Sequence, residues 1–295
     1  MKTRVFAVCT VVFLFCGIVH AGLNDGLVAY YPFNGNVNDE SGNGNNGTIN
    51  GAKLTADRFG NVDSAYSFVA RGDSMYGTGD YIEINNSSSL NLGKNDFTFV
   101  AWIKTTRKGG AKILSKGQSN CLTGYAFQTD SLASGGDADY FTAWSVSSGR
   151  CLPRSVSKGI VNDGKWHLLV GVVKRSNSQM YYIDGELDTI DYNSPPADDI
   201  SNNNNLRIGL CDRYGNRPFD GMIDDIRIYN RALSASEVQQ LYQGQDTCSK
   251  EVVKFISGTP AKAADVNANF DALNCQIQAL KAIVCKNEPT ASVCQ

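Results

Sequence analysis

From Gly22 to about Tyr242 the chain alternates apolar and polar residues in short runs, and Gly, Asn, Asp and Ser punctuate those runs. A period of two places successive side chains on opposite faces of a strand, and the punctuating residues are the ones tight turns require. Helical periodicity is nearly absent over this stretch. In the run Phe97-Thr98-Phe99-Val100-Ala101-Trp102-Ile103, one face receives Phe97, Phe99, Ala101 and Ile103, and the other receives Val100 and Trp102. A strand covered in part on both faces fits one sheet of a two-layer sandwich, and Trp102 and Trp166 are assigned to the core. Met180-Tyr181-Tyr182-Ile183, then Asp184-Gly185, then Glu186 to Ile190 predicts a hairpin, because Asp-Gly supplies the positive φ angles of a two-residue turn. Trp166 to Val173 reads as its partner strand, with Leu206 to Gly209 and Met222 to Tyr229 as later ones, so the sandwich closes near Tyr229. The expected fold class is all-β: a two-sheet antiparallel β-sandwich followed by a short α-helical C-terminal tail.

After the last strand, Leu233-Ser234-Ala235-Ser236-Glu237-Val238 carries a capping box, Ser234 as N-cap with Glu237 three residues on, and Leu233 and Val238 can close a hydrophobic staple. A short helix to about Leu241 is predicted. Beyond a linker near Gly244 to Lys250, Val266, Phe270, Leu273, Ile277, Leu280 and Val284 recur at spacings of four and three. That seam suits a coiled coil joining copies of the chain, or a helix packed on its own sandwich. The expected division is 1–21 signal peptide, 22–245 sandwich, and 246–295 linker and helical tail.

The division at Gly22 follows from Lys2 and Arg4, the apolar run from Val5 to Val19, and Val19-His20-Ala21, which suits signal peptidase. The apolar run is shorter than the roughly 20 residues of a membrane span, so the expectation is a secreted, extracellular or periplasmic protein with no membrane span. Cys16 follows Phe15, where a lipoprotein peptidase wants a small residue. Loss of Lys2 and Arg4 leaves 25 basic residues against 29 acidic, a formal net charge of about -4, and no nucleic-acid partner is implied. Nine cysteines fall to seven on export: Cys121, Cys151, Cys211, Cys248, Cys275, Cys285 and Cys294. All are disulfide candidates in an oxidising compartment; the odd count leaves one over, and spacing alone does not assign the pairs.

Gly26-Leu27-Val28-Ala29-Tyr30-Tyr31-Pro32-Phe33, Asp39 to Gly47, Ala65-Tyr66-Ser67-Phe68, Asp80 to Ile84, Tyr182-Ile183-Asp184-Gly185 and Gly221 to Ser234 follow one another in order. Together they resemble bacterial laminin G-like (LamG/pentraxin-type) jelly-roll domains of the concanavalin A-like lectin/glucanase superfamily, over about residues 25 to 245. The tail from Ser257 to Leu273 resembles helical segments of phage-fibre-like modules. The first resemblance implies a concanavalin A-like jelly roll and functions that range over glycan binding, adhesion and accessory roles beside enzymes. Fold alone does not choose among them.

The Asp39 to Gly47 loop is dense in oxygen ligands and glycine, as a calcium site needs. The resemblance implies Ca2+ held by Asp39, Asn43 and Asp224; the alternative is that the loop residues make turn hydrogen bonds. Asp224 shares strand parity with Ile226 and Ile228, so it is expected to point inward and to need a partner. Sugar binding needs exposed aromatics, and Tyr125, Tyr140, Trp144 and Tyr214 lie in or beside loop-rich stretches; core packing is the alternative for each. Glu186-Leu187-Asp188-Thr189-Ile190-Asp191 approaches the signature of retaining glucanases, which need two carboxylates about 5 Å apart, but it also reads simply as the outgoing hairpin strand. His167, the single histidine after Ala21, sits in a strand beside Trp166 and reads as structural rather than as part of a triad. Arg71-Gly72-Asp73-Ser74 matches an adhesive tetrapeptide that also arises by chance. The expected function is therefore a non-enzymatic, calcium-stabilised recognition module for a polysaccharide or surface glycoconjugate, multimerised through its C-terminal helix. The alternatives are a structural or adhesive protein that contacts protein partners and a glycan-cleaving enzyme.

Overall fold

The structure is a computed structural model that describes residues 22–72, 77–117, 124–130, 140–146, 157–175, 177–192, 198–211 and 217–243. The expected signal peptide and helical tail, and the cysteines other than Cys211, lie outside these residues; Cys211 is buried.

In chain order the strands are β1 Leu27–Tyr31, β2 Gly47–Asn50, β3 Lys53–Thr55, β4 Ala65–Phe68, β5 Ala70–Arg71, β6 Thr78–Gly79, β7 Tyr81–Ile84 and β8 Phe97–Lys104. They continue with β9 Lys112–Lys116, β10 Gly124–Asp130, β11 Tyr140–Val146, β12 Trp166–Lys174, β13 Ser178–Ile183, β14 Glu186–Asp191, β15 Leu206–Ile208 and β16 Gly221–Tyr229. Helix α1, Ala235–Tyr242, follows. The named strands pair antiparallel, and an isolated parallel bridge joins Gly51 to Tyr81. The larger sheet runs β14-β13-β12-β8-β16-β4-β3, with β1 also on β16; the smaller runs β11-β10-β9-β15-β7-β2, and β5-β6 is a separate hairpin. The all-β sandwich expected from the alternation is what the chain forms.

Alternation in β8 explains how the layers stack. Phe97, Phe99, Ala101 and Ile103 enter the main core between the sheets, with Tyr125, Phe127, Ile113 and Ile208 opposite. Val100 and Trp102 instead join a second apolar cluster with Leu168, Val170, Tyr229, Leu233, Val238 and Leu241. The outer face of the larger sheet is thus roofed by α1. Each fully buried Phe or Ile contributes about 1.5–3 kcal/mol, against about 0–1 kcal/mol for an exposed ion pair, so apolar layering decides the architecture.

Local chemistry fixes the elements' ends. At the β13–β14 turn, Asp184 and Gly185 have φ 51° and 83°, the paired positive angles that Asp-Gly was expected to supply. Ser234 Oγ accepts from the Glu237 amide while the Glu237 carboxylate accepts from the Ser234 amide, completing the capping box at the start of α1. Leu233 and Val238, both buried, form the staple. Lys116, fully buried, donates from Nζ to Asn91 Oδ1 at 2.9 Å and to the Asn202 carbonyl at 2.6 Å, tying two loops to the end of β9; burial lowers its pKa to about 8.

His167 does prove structural. Its ring nitrogens face Asp184 Oδ2 at 2.8 Å and Asp163 Oδ1 at 3.0 Å, and Asp184 Oδ1 also accepts the Leu168 amide. The hydrogen bond to Asp184 raises the imidazole pKa, against an opposing effect of burial.

Two outcomes follow. A histidine pKa above its unfolded value contributes stability that is full below pH 6.5 and is lost as pH rises through the folded value. Melting temperature is therefore expected to fall on going from pH 6 to pH 8, and His167→Gln to flatten that slope, as scanning calorimetry would show; an unchanged slope in the variant would remove the assignment. Ser234→Ala is expected to cost about 1 kcal/mol in urea unfolding.

Candidate functional site

The most chemically loaded surface lies on the outer face of the larger sheet, beyond the edge of the α1 roof. Its base is a bulge in β16. Opposite β8, Asp224 pairs with Trp102 and Arg227 with Val100, so Asp225 and Ile226 together face a single residue. Asp225 has φ 47° and is the spare residue. One extra residue resets the alternation, so Ile223, Ile226 and Ile228 all reach the main core while Asp224 stays on the Trp102 side. The inward placement of Asp224 expected from parity is therefore corrected: parity counted across a bulge is off by one.

Both carboxylates converge on one cation. Arg58 Nη1 lies 2.9 Å from Asp224 Oδ2 and 2.7 Å from Asp225 Oδ2, and Tyr30 donates its hydroxyl to Asp225 Oδ1 at 3.1 Å. The Arg58 guanidinium lies 4.4 Å from the ring centre of Phe59 and 4.5 Å from that of Trp102. Trp102 in turn stacks on Tyr242, the last residue of α1, with centroids 5.8 Å apart and planes 21° apart. The result is a row of rings and one guanidinium, Phe59, Arg58, Trp102 and Tyr242, whose two ends are open to solvent: Phe59 is 62% exposed and Tyr242 41%. Asp57 fixes the loop that carries Phe59, accepting the Phe59 and Asn61 amides at Oδ1, both at 2.8 Å.

Electrostatically the two acids are unequal. The Asp224 side chain is 3% exposed and that of Asp225 21%. Burial, and next the Asp225 carboxylate, raise the Asp224 pKa above the ordinary range, and Arg58 opposes the rise without cancelling it. Asp225 is the acid that a ligand can meet. Arg227, 4% exposed, lies beneath the Tyr30 ring at 4.0 Å.

Of the residues singled out in the sequence, Asp224 belongs to this cluster, and Asp39, Asn43 and Tyr125 have other surroundings. Asp39 Oδ1 accepts the Tyr30 and Ser41 amides and Oδ2 the Asn45 amide, each at 2.9 Å. Asn43 turns its Nδ2 to the Leu27 and Val28 carbonyls. Asp39 and Asn43 both bond to Ser41, Asp224 bonds instead to Arg58 and the Asp225 amide, and no group of three or more His, Cys, Asp or Glu that could hold a metal occurs among the described residues. Tyr125 is a core residue, 2% exposed, its ring tilted 33° against Phe99 at 5.3 Å and its hydroxyl on the Leu90 carbonyl, which corrects its assignment to ligand binding. Tyr140 and Trp144 are register partners of Asp130 and Ala126 in β11; their side chains, and Tyr214 altogether, lie outside the described residues.

Glu186 and Asp191 open and close β14, five residues apart and so roughly 16 Å along a strand, too far for a catalytic pair. Glu186 accepts from Gln239 of α1. Of the tetrapeptide, Arg71 is ion-paired to Asp80 at 2.7 Å, and Asp73 and Ser74 lie outside the described residues. Sequence reading missed Arg58, Phe59, Asp225, Tyr30 and Tyr242. The doubled Asp224-Asp225 inside an apolar strand is the signal that could have revealed the bulge.

The fold is similar to the binding domain of Paraclostridial Mosquitocidal Protein 1, at 18% identity and TM-score 0.55 over 75% of this chain and 52% of that one. It is also similar to domain 4 of AbnA, a GH43 extracellular arabinanase from Geobacillus stearothermophilus, in complex with arabinotriose. There the identity is 23% and the TM-score 0.53, over 73% of this chain and 98% of that one. A third is the receptor binding domain of botulinum neurotoxin C/D mosaic serotype, at 16% and 0.54, over 81% and 56%. The chain spans about half the length of the two toxin domains, and at these identities the likeness is one of fold. No curated protein matches the chain. The family model of the concanavalin A-like lectin/glucanases superfamily matches residues 76–239, more than half of the sequence. With the sandwich formed as that family requires, the chain belongs to the concanavalin A-like lectin/glucanases superfamily.

Proposed function

We propose that this protein is an exported, non-catalytic recognition module that binds a polysaccharide or surface glycoconjugate through the row Phe59, Arg58, Trp102 and Tyr242. The observation that carries the reading is the pair of solvent-exposed rings at the ends of that row, held on a sheet and a closed loop beside an accessible carboxylate. Sugars are recognised by stacking of their apolar faces on aromatic rings and by hydroxyls donated to planar acceptors. Asp225 Oδ2, paired with Arg58, and the Tyr30 hydroxyl on Asp225 Oδ1 are the polar groups of the cluster. The arabinotriose-bound domain of similar fold, matched over nearly its whole length, supports a sugar ligand. Export rests on the N-terminal apolar segment. Among the described residues no helix is long and apolar enough to cross a membrane.

Catalysis has one feature in its favour. Two carboxylates with one raised pKa are what a retaining glycosidase uses. Asp224, the acid with the raised value, is 3% exposed and hydrogen-bonded to Arg58, which favours binding over proton delivery to a glycosidic oxygen.

A calcium ion at Asp39, Asn43 and Asp224 would have to compete with the three backbone amides that Asp39 accepts and displace the Arg58 guanidinium from Asp224.

Affinity electrophoresis against arabinan, xylan and mixed-linkage glucan is expected to retard the wild-type protein. Phe59→Ala, an exposed change with little effect on folding, should weaken binding about tenfold. Absence of retardation on every polysaccharide, or release of new reducing ends, would sink the reading. EDTA is expected to leave the melting temperature unchanged; a fall would place calcium in the protein.

A further inference from the structure

We infer that Asp225 determines the specificity of this surface: by occupying the Arg58 guanidinium it directs the aromatic row to uncharged sugars and excludes uronates and sulfated sugars. This inference rests on the glycan-binding reading and adds the ligand class to it.

An arginine stacked between aromatic rings grips carboxylate and sulfate groups well, because its planar fork can hydrogen-bond in its own plane while its faces stay packed. Arg58 has both aromatic neighbours, its guanidinium 4.4 Å from the Phe59 ring centre and 4.5 Å from that of Trp102. Its Nη1, however, already meets Asp224 and Asp225. Asp57 adds a further negative charge that Asp224 feels. The positive charge of Arg227 is buried beneath Tyr30. A ligand anion arriving at Phe59 therefore meets the partly exposed Asp225 and no uncompensated cation in this cluster. A neutral sugar meets the same carboxylate as a hydroxyl acceptor.

Asp225 can be neutralised without disturbing its surroundings. Its φ of 47° lies in the left-handed region, where Asn is as well tolerated as Asp. An Asn side-chain oxygen can still accept the Tyr30 hydroxyl. Asp225→Asn thus removes one negative charge and keeps the shape. Asp224→Asn in addition releases Arg58 entirely, and its side-chain oxygen can keep the hydrogen bond from the Asp225 amide, 2.8 Å in the native protein.

The full-length protein and its variants would be run against immobilised linear arabinan, xylan and polygalacturonate at low ionic strength, with melting temperatures recorded. The wild type is expected to be retained by a neutral polysaccharide with an affinity that salt does not change, and to pass polygalacturonate unretarded. Asp225→Asn should bind polygalacturonate more tightly, the double variant at least about tenfold more tightly than the wild type, and Arg58→Gln in the double variant should abolish the gain. Wild-type binding to polygalacturonate, a strongly salt-dependent neutral affinity, or folded variants without the gain would each overturn the inference while leaving a glycan-binding module in place. A wild type retained by none of these three polysaccharides and not by mixed-linkage glucan overturns both.

Discussion

A strand can present Ile223, Ile226 and Ile228 to one core only if it carries a residue too many, and this constraint shapes the molecule. Strand β16 sits at the centre of the larger sheet, paired to β8 on one edge and to β4 and then β1 on the other. Breaking its alternation costs ladder regularity and places Asp225 in a left-handed conformation. Without the bulge Ile226 and Ile228 would leave the core together, at about 1.5–3 kcal/mol each, more than the about 1–3 kcal/mol of one strained residue. The core thus imposes the bulge, and the bulge delivers two adjacent acids to the outer face.

That outer face is the second consequence. Its apolar half, with Val100, Leu168, Val170 and Tyr229, is closed by α1 and Leu23. The helix is only eight residues long, so its own propensity cannot hold it; the capping box, the staple and burial of Val238 and Leu241 do. Where the roof ends, Trp102 has one neighbour from the helix, Tyr242, and one from the β3–β4 connection, Arg58. The candidate site is the seam between these two coverings, which is why its members come from five separate stretches of chain.

This history explains what could be read from the sequence. Local rules carried far: alternation gave the two faces of β8, Asp-Gly gave the β13–β14 turn, and Ser234 with Glu237 gave the start of α1, because each depends on residues within a few positions of one another. Composition offers Asp39 either a calcium ion or turn hydrogen bonds, and the three amides it accepts depend on backbone directions that composition does not encode. Tyr125 looked available because it flanks a loop-rich stretch, yet the sandwich turns it inward onto Phe99. Asp224 was assigned the wrong face because a strand's period was extended through a bulge. Arg58 and Phe59 carry no motif at all; a 166-residue separation links Arg58 to Asp224, and only the finished sheet makes them neighbours.

The same geometry bears on why binding suits this surface better than chemistry. Catalysis needs a group that changes its proton or bond during the reaction and that touches the substrate while doing so. In this cluster the two requirements fall on different residues: Asp224 has the raised pKa but is enclosed, and Asp225 is accessible but fastened to Arg58 and Tyr30. Arg58, Asp224, Asp225 and Tyr30 are already joined to one another by ion pairs and hydrogen bonds. Pre-ordering of that kind lowers the entropic cost of association, which matters most for sugars, whose exposed hydroxyls gain little on exchanging water for protein.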